Sequence, residues 1–322
     1  MAVQGIQSKG VNISVGRLEE SDLPEADRVF RLAFGTFLGL PDPSQFSGGA
    51  DYIRTRWRAA PSSAFAAKWD GQLVGSNFAT QWGSFGFFGP LTVRPDYWDK
   101  GVGKSLLKPT MDLFAQWGVR HAGLFTFAQS TKHVALYQKF GFWPRYLTRV
   151  MSKPVRAKPD PSPPVYGTLD KDGQDKCLTA CMDLTDAIFE GLNVEREITA
   201  VRSQQLGDTV LLRDNGRLVG FGICHCGEGT EAGQGSCYVK FGAVRPGPGA
   251  EATFDRLLGD CERYAAVRGL ARIVAGVNLA RHAAYRRMLE AGFRADFQGV
   301  AMQKPNEAGF NRPEVFLIDD WR

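Results

Sequence analysis

The sequence predicts an α/β fold in which one unit, built on a mixed sheet, occurs twice. Three short motifs recur 151 residues later: Val-Arg-Pro at positions 93 and 244, Leu-Leu at 106 and 257, and Gly-Phe at 141 and 292. Five prolines among residues 153–164 separate the two copies, and proline fixes φ and removes a backbone donor. We therefore expect domains at residues 1–152 and 166–322, joined by a linker at 153–165.

Local patterns predict the elements of the first copy. Ser21 is a helix N-cap, and Asp70-Gly71 marks the turn of a β-hairpin. Apolar residues at helical spacing predict a helix at 103–117. Alternating or buried apolar runs predict the other elements, which are strands at 11–17, 64–69, 73–80, 85–93, 122–127 and 142–151 and a short helix at 132–140.

The second copy repeats this order, with Asn215-Gly216 at the hairpin turn. Apolar periodicity predicts two helices and three strands after that hairpin. The helices are expected at 251–268 and 280–290, and the strands at 271–277, 293–303 and 314–319.

Composition narrows the classes of function. The 322 residues are 43% hydrophobic and 23% charged, as in a globular protein. The net charge of +5 divides into +6 for residues 1–150 and −1 for the rest, without the dense basic stripe of a nucleic-acid-binding protein. No apolar run reaches the ~18 residues that span a bilayer. Residues 1–15 lack a secretory signal pattern, so we expect a cytoplasmic protein that binds neither nucleic acid nor membrane.

The most informative segment is residues 91–107. There a predicted strand ends, a turn follows, and Gly101-Val102-Gly103 opens an amphipathic helix flanked by Lys100 and Lys104. Glycines let the backbone curl so that several N–H groups converge, and the helix N-terminus adds partial positive charge. The pattern predicts a phosphate cradle. It has neither the spacing of a Walker loop nor the third glycine of a dinucleotide fingerprint.

This segment resembles motif A of the GCN5-related N-acetyltransferases (GNAT), in which Val-x-Pro precedes Gly-x-Gly. The strand at 122–127 and the run at 136–142 resemble the family's motif B. The resemblance covers about residues 11–151, with a fainter copy at 166–320. It implies two tandem GNAT-like domains, each a mixed, mostly antiparallel sheet flanked by helices, and acetyl-CoA as co-substrate without a metal.

The resemblance also implies roles for particular residues. The backbone of Leu91, Thr92 and Val93 would pair with pantetheine, next to a bulge at Gly89-Pro90 whose free N–H groups could polarise the thioester carbonyl. The pyrophosphate would lie on the segment made of Asp99, Lys100, Gly101, Val102, Gly103, Lys104 and Ser105.

Three further candidates follow motif A. Tyr137 matches the family's tyrosine that protonates the leaving thiolate. Ser130 stands where many members carry an asparagine that faces pantetheine. His133 lies one helical turn before Tyr137 and is expected either to touch the cofactor or to act as a base.

The sequence departs from the family pattern in both copies. Trp98 replaces the usual Arg or Gln, and Asp99 replaces the next glycine. In the second copy, the positions of Gly101, Gly103 and Tyr137 hold Ala252, Phe254 and Met288 at the offset of 151. We therefore expect a degenerate second copy that does not bind CoA.

Other polar groups are interpreted as structural. Cys224 and Cys226 point to one face of a strand and His225 to the other, so they do not predict a metal site. Arg54, Arg56 and Arg58 are expected on a solvated helix face, although they could also bind a carboxylate. Apolar residues in 34–46 suit the wall of an acceptor pocket with a hydrophobic part.

The sequence thus predicts an acetyl-CoA-dependent N-acetyltransferase that moves an acetyl group by direct transfer to the amine of a small molecule or peptide. The second copy would shape the acceptor cleft, brace the fold or form the face of a homodimer. Two alternatives stay open: a mycothiol-synthase-like enzyme that acetylates an aminosugar thiol precursor, and a non-catalytic acyl-CoA sensor or interaction protein.

Overall fold

In a computed structural model that describes residues 13–322, one continuous sheet runs through both halves of the chain. The first half contributes strands β1 (Ile13–Arg17), β2 (Ala64–Trp69), β3 (Gln72–Trp82), β4 (Phe85–Phe88), β5 (Thr92–Val93), β6 (His121–Thr126) and β7 (Trp143–Pro154). Its helices are α1 (Leu23–Phe37), α2 (Ile53–Ala59), α3 (Val102–Gln116) and α4 (Thr131–Gln138). Positions 11 and 12 of the predicted first strand lie outside the described residues.

The second half repeats the series. Its strands are β8 (Gly207–Asp214), β9 (Arg217–Cys226), β10 (Ser236–Val244), β11 (Arg272–Asn278), β12 (Arg294–Lys304) and β13 (Leu317–Ile318). Its helices are α5 (Lys171–Asp186), α6 (Glu195–Ser203), α7 (Ala250–Val267) and α8 (His282–Glu290). The mixed and mostly antiparallel sheet with flanking helices confirms the predicted fold class, and the parallel pairs are β4–β6 and β10–β11.

The two halves exchange their closing strands. The strand order is β1-β2-β3-β4-β6-β12-β7-β11-β10-β9-β8, so β12 lies between β6 and β7, and β7 pairs with β11. Strand β7 continues to Pro154, and Val155 N–H donates to the carbonyl of Ala271 at 2.9 Å. Sheet pairing therefore runs across the predicted domain boundary.

Helices cover both faces of the sheet. Helices α3 and α4 in the first half and α7 and α8 in the second pack on one face, where Met151, Val300 and Met302 are buried. Helices α1, α2, α5 and α6 pack on the other face. None of the helices within residues 13–322 is long and apolar enough to cross a bilayer.

The segment that follows β13 lies tightly on the sheet. A Cβ at Gly276 would come within 2.3 Å of Asp320, and one at Gly123 within 2.6 Å of the Trp321 ring. These two strand positions must be glycine for the segment to reach the sheet, because the Asp320 side chain and the Trp321 ring occupy the space of a methyl group.

We expect Gly276→Ala to destabilise the protein by about 1–3 kcal/mol, because the methyl group overlaps Asp320. Gly259→Ala is the matched control: this glycine lies inside α7 with no atom near its Cβ position, so alanine should stabilise by up to about 1 kcal/mol. Thermal unfolding of both variants measures the difference. Equal melting temperatures would contradict the close packing at Gly276.

Candidate functional site

The strand that follows β3 in the first half breaks where the resemblance places the reaction centre. Strand β4 pairs in parallel with β6 as far as Phe87 and Gly123, and β5 then stays paired only with β3. Strands β5 and β6 diverge beyond this point. We call the space between β5 and the end of β6 the strand gap.

Backbone donors of β5 face the strand gap. Arg94 N–H donates to the carbonyl of Val74 in β3 at 2.8 Å, so by strand alternation the Val93 N–H points away from β3. Leu91 lies between the bulge and β5, and its N–H makes no backbone hydrogen bond to β3. Neither group has an acceptor among residues 13–322. The Val93 carbonyl accepts from the Trp98 indole N–H at 2.7 Å. Trp98 therefore takes one of the polar groups that the family resemblance assigns to pantetheine.

In the second half, strand β13 fills the equivalent gap. Strand β13 pairs with β10, placing Ile318 opposite Gly242 and Leu317 opposite Ala243, and Val244 N–H donates to the Phe316 carbonyl at 3.2 Å. At the offset of 151, Gly242, Ala243 and Val244 correspond to Leu91, Thr92 and Val93. Among residues 13–322, the same strand edge is thus covered in the second half and uncovered in the first.

The start of α3 faces the strand gap. Gly101 caps the helix with φ of +81°, a conformation that favours glycine, and its carbonyl accepts from Ser105 N–H at 3.1 Å. A Cβ at Gly103 would lie 3.6 Å from Leu136 and 3.8 Å from Leu91, with no overlap. The free N–H groups of Val102, Gly103 and Lys104 belong to the first turn, where helices bind anions.

Charged groups surround this turn. The Asp99 carboxylate pairs with the Lys132 ammonium at the start of α4, which partly neutralises an acid next to the predicted cradle. The Lys100 ammonium lies 4.7 Å from the Tyr97 ring centre and 5.4 Å from that of Trp69. Lys104 is exposed on the first turn of α3.

Helix α4 carries the other predicted site residues. Tyr137 is buried with its ring 5.7 Å from that of Phe88, and its hydroxyl has no hydrogen-bond partner within residues 13–322. Burial raises the pKa of Tyr137 well above its usual value, so the phenol stays protonated at neutral pH. Ser130 is the buried N-cap residue. His133 is half-buried, and desolvation followed by the charge of Lys132 lowers its pKa, which favours the neutral ring.

The second half differs at the helix start as well. Gly249 caps α7 with the same φ of +81°, but α7 begins one turn earlier in the repeat than α3 does. The position of Gly103 is therefore inside the helix, where Phe254 is fully buried with its ring 5.4 Å from that of Phe316. The Phe254 side chain and strand β13 together close the gap in the second half.

A cleft of about 310 Å³ lies between the two halves, on the sheet face opposite α3 and α4. The loop at 47–52, the loop at 227–235 and strands β7, β11 and β12 border it. Its lining includes Tyr52, Val150, Glu231, Asp296, Phe297 and Arg322. Aromatic contacts continue from Phe297 to Phe127 and on to Phe37 and His133, which links the cleft to α4.

Comparison with known proteins identifies the first half. The model of the acetyltransferase (GNAT) family matches residues 28–142, which span the strand gap, the α3 N-terminus and α4. Residues 28–142 form a GNAT acetyltransferase domain. The GNAT family uses acyl-CoA for acetyl transfer, and the resemblance stated from motifs A and B is thereby confirmed. No curated protein matches the sequence.

Solved structures extend the GNAT fold over both halves. A candidate acetyltransferase from Pyrococcus horikoshii has a TM-score of 0.68 at 13% identity, covering 99% of this chain and 98% of its own. A GCN5-related N-acetyltransferase from Sphaerobacter thermophilus has a TM-score of 0.57 at 17% identity, and the match covers 91% of this chain and 95% of that protein. A region of a fungal β-N-acetylglucosaminidase, described as a glucosamine N-acetyltransferase, has a TM-score of 0.62 at 15% identity. That match covers 91% of this chain and 38% of the fungal chain.

The predicted exposure of Arg56 is wrong, and the hydrogen bond made by Trp98 was not predicted. Arg56 is not on a solvated face of the helix; it is buried and pairs with Glu231 in the second half. Its burial could have been read from its spacing, since it lies three residues after the buried Ile53. The bond from Trp98 to Val93 had no such signal, because the family pattern places another residue type there.

We expect Asp99→Asn to increase CoA affinity about two- to fivefold at low salt, because it removes a negative charge beside a diphosphate and releases Lys132. Asparagine tolerates the φ of +65° found at this position. Calorimetric titration with CoA measures the change, and Asp112→Asn on the exposed side of α3 controls for net charge. Weaker binding by Asp99→Asn would contradict the placement of the diphosphate.

Proposed function

We propose that this protein is an N-acetyltransferase that moves the acetyl group of acetyl-CoA directly to a primary amine. The observation that carries the proposal is the contrast between the two strand gaps. Leu91 and Val93 present N–H groups without a partner in residues 13–322 to the gap in the GNAT domain, whereas β13 pairs with the corresponding edge in the second half. An amide-bearing pantetheine arm suits the first edge.

The site residues then have these roles. The Leu91–Val93 edge binds pantetheine, and the N–H groups between Asp99 and Ser105 bind the pyrophosphate. The Leu91 N–H is aimed at the thioester carbonyl and stabilises its developing negative charge. As the amine nitrogen bonds to the carbonyl carbon and the C–S bond breaks, Tyr137 donates its proton to the departing thiolate. His133, neutral at pH 7, is the candidate acceptor of the amine proton.

The acceptor amine is proposed to enter through the cleft between the halves. Phe297 and Phe127 offer aromatic surface, and Asp296 and Arg322 offer charges of both signs. This mixture suits a small molecule or peptide with a polar and an apolar part. Because a fungal enzyme region of the same fold is described as a glucosamine N-acetyltransferase, aminosugars belong among the acceptors to be tested.

A specific observation favours one alternative, a protein that binds acyl-CoA without turnover. The indole of Trp98 already occupies the Val93 carbonyl, so pantetheine would gain one hydrogen bond fewer on this edge. Weaker binding alone is compatible with either function. Turnover on an amine separates the two.

Acetyl-CoA is expected to bind with one site per chain, because the chain itself closes the second gap. Gly103→Val should abolish this binding because its side chain stands at the first turn of α3, and Gly103→Ala, whose Cβ overlaps no protein atom, should weaken binding while the protein stays folded. Calorimetry measures stoichiometry and affinity, with Gly259→Ala as the control. Two sites per chain, or wild-type affinity in Gly103→Val, would contradict the assignment.

Thiol release across a panel of peptides, small amines and aminosugars should reveal turnover, and Tyr137→Phe should lower kcat by about 10²- to 10⁴-fold. The affinity of Tyr137→Phe for acetyl-CoA should change little, because the Tyr137 hydroxyl holds no other group within residues 13–322. Binding without turnover on any amine favours the sensor. A kcat unaffected by Tyr137→Phe would refute its role as the acid.

A further inference from the structure

The guanidinium of Arg56 connects the two halves at the edge of the strand gap. Arg56 lies in α2 and is 6% exposed. It donates from Nη1 to the Gly89 carbonyl at 2.6 Å, and from Nε and Nη2 to the two carboxylate oxygens of Glu231 at 3.0 and 2.8 Å. It also donates to the Arg322 carbonyl. One side chain thus binds the bulge of the GNAT domain and a carboxylate of the second half.

The Glu231 end of this bridge is itself fixed. The Lys240 ammonium lies 2.9 Å from carboxylate oxygens of both Glu231 and Glu197, and Glu197 accepts from the Trp82 indole at 3.1 Å. Two cations and two carboxylates form a buried set without net charge. Burial alone would raise the pKa of Glu231, but Arg56 and Lys240 hold it well below its ordinary value. A paired and hydrogen-bonded set of this kind defines one geometry.

The Gly89 carbonyl is a sensitive place for such a contact. Gly89 has φ of +149°, and its N–H donates to the Phe78 carbonyl at 2.8 Å. Pro90 has no N–H, so the next donor along the chain is that of Leu91, which faces the strand gap. Glycine gives this stretch little steric restraint. The bond from Arg56 therefore restrains the peptide that precedes the Leu91 N–H.

We propose that Arg56 is a positioning residue for acetyl transfer, held in place by Glu231 of the second half. This inference rests on the proposed function. By fixing the Gly89 carbonyl, Arg56 orients the Leu91 N–H toward the thioester oxygen without touching the reacting atoms. The second half thereby takes part in the reaction centre as well as lining the acceptor cleft.

The test separates kcat from cofactor binding. Arg56→Gln should lower kcat about 10- to 100-fold, as expected when an oxyanion donor is misplaced. Its calorimetric Kd for acetyl-CoA should stay within about threefold of wild type, because the α3 N-terminus is unchanged. Arg56→Lys, which can still reach one partner, should recover part of the rate. Glu231→Gln should lower kcat in the same manner although Glu231 lies in the other half.

A matched control variant separates the effect of lost stability from the effect of lost positioning. Glu197→Gln weakens the far end of the same buried set but touches neither Arg56 nor Gly89, so its kcat should fall much less than that of Glu231→Gln. If Arg56→Gln does not fold, Arg56→Lys and Glu231→Gln decide. Wild-type kcat in both of these, or an equal loss in Glu197→Gln, overturns the role of Arg56. A wild type that acetylates no amine contradicts the proposed function instead.

Discussion

A strand edge that loses its neighbour inside the fold is the constraint on which this structure depends. Buried N–H groups without acceptors are costly, so such an edge needs either a segment of chain or a ligand. In the second half this edge is covered by the segment Phe316, Leu317 and Ile318, and the ring of Phe254 packs against Phe316. In the first half, no part of the described chain covers the edge at Leu91 and Val93, which lies next to a helix N-terminus. Comparison of the two halves therefore contrasts a strand edge filled by the chain with one that is open to a ligand.

The exchange of closing strands explains how both halves contribute to one site. Strand β12 pairs with β6, which borders the strand gap, and its Phe297 also lines the cleft between the halves. Strand β7 joins β11 in the same way from the other direction. Neither half has a complete sheet alone, so their relative placement is set by backbone hydrogen bonds rather than by a flexible linker.

Local signals made part of this predictable from sequence. The glycine turn before α3, the hairpin turn at Asp70-Gly71 and the 151-residue repeat all depend on residues close together in the chain. The strand exchange was not predictable, because strand periodicity indicates which side chains are buried but not which strand lies alongside. The pair Arg56–Glu231 joins positions 175 residues apart, and no short-range pattern reports such a partner.

The two bulges, at equivalent positions of the two halves, carry complementary groups. At the offset of 151, Gly89 corresponds to Lys240, which lies at the register shift between Val239 and Phe241 in β10. Glycine leaves a backbone carbonyl that needs an external donor, and lysine supplies an ammonium that needs a carboxylate. Arg56 and Glu231 meet both needs in one chain of hydrogen bonds from bulge to bulge. The second half therefore closes its own gap with β13 and, a few residues away in the same strand, holds through Lys240 the carboxylate that binds Arg56.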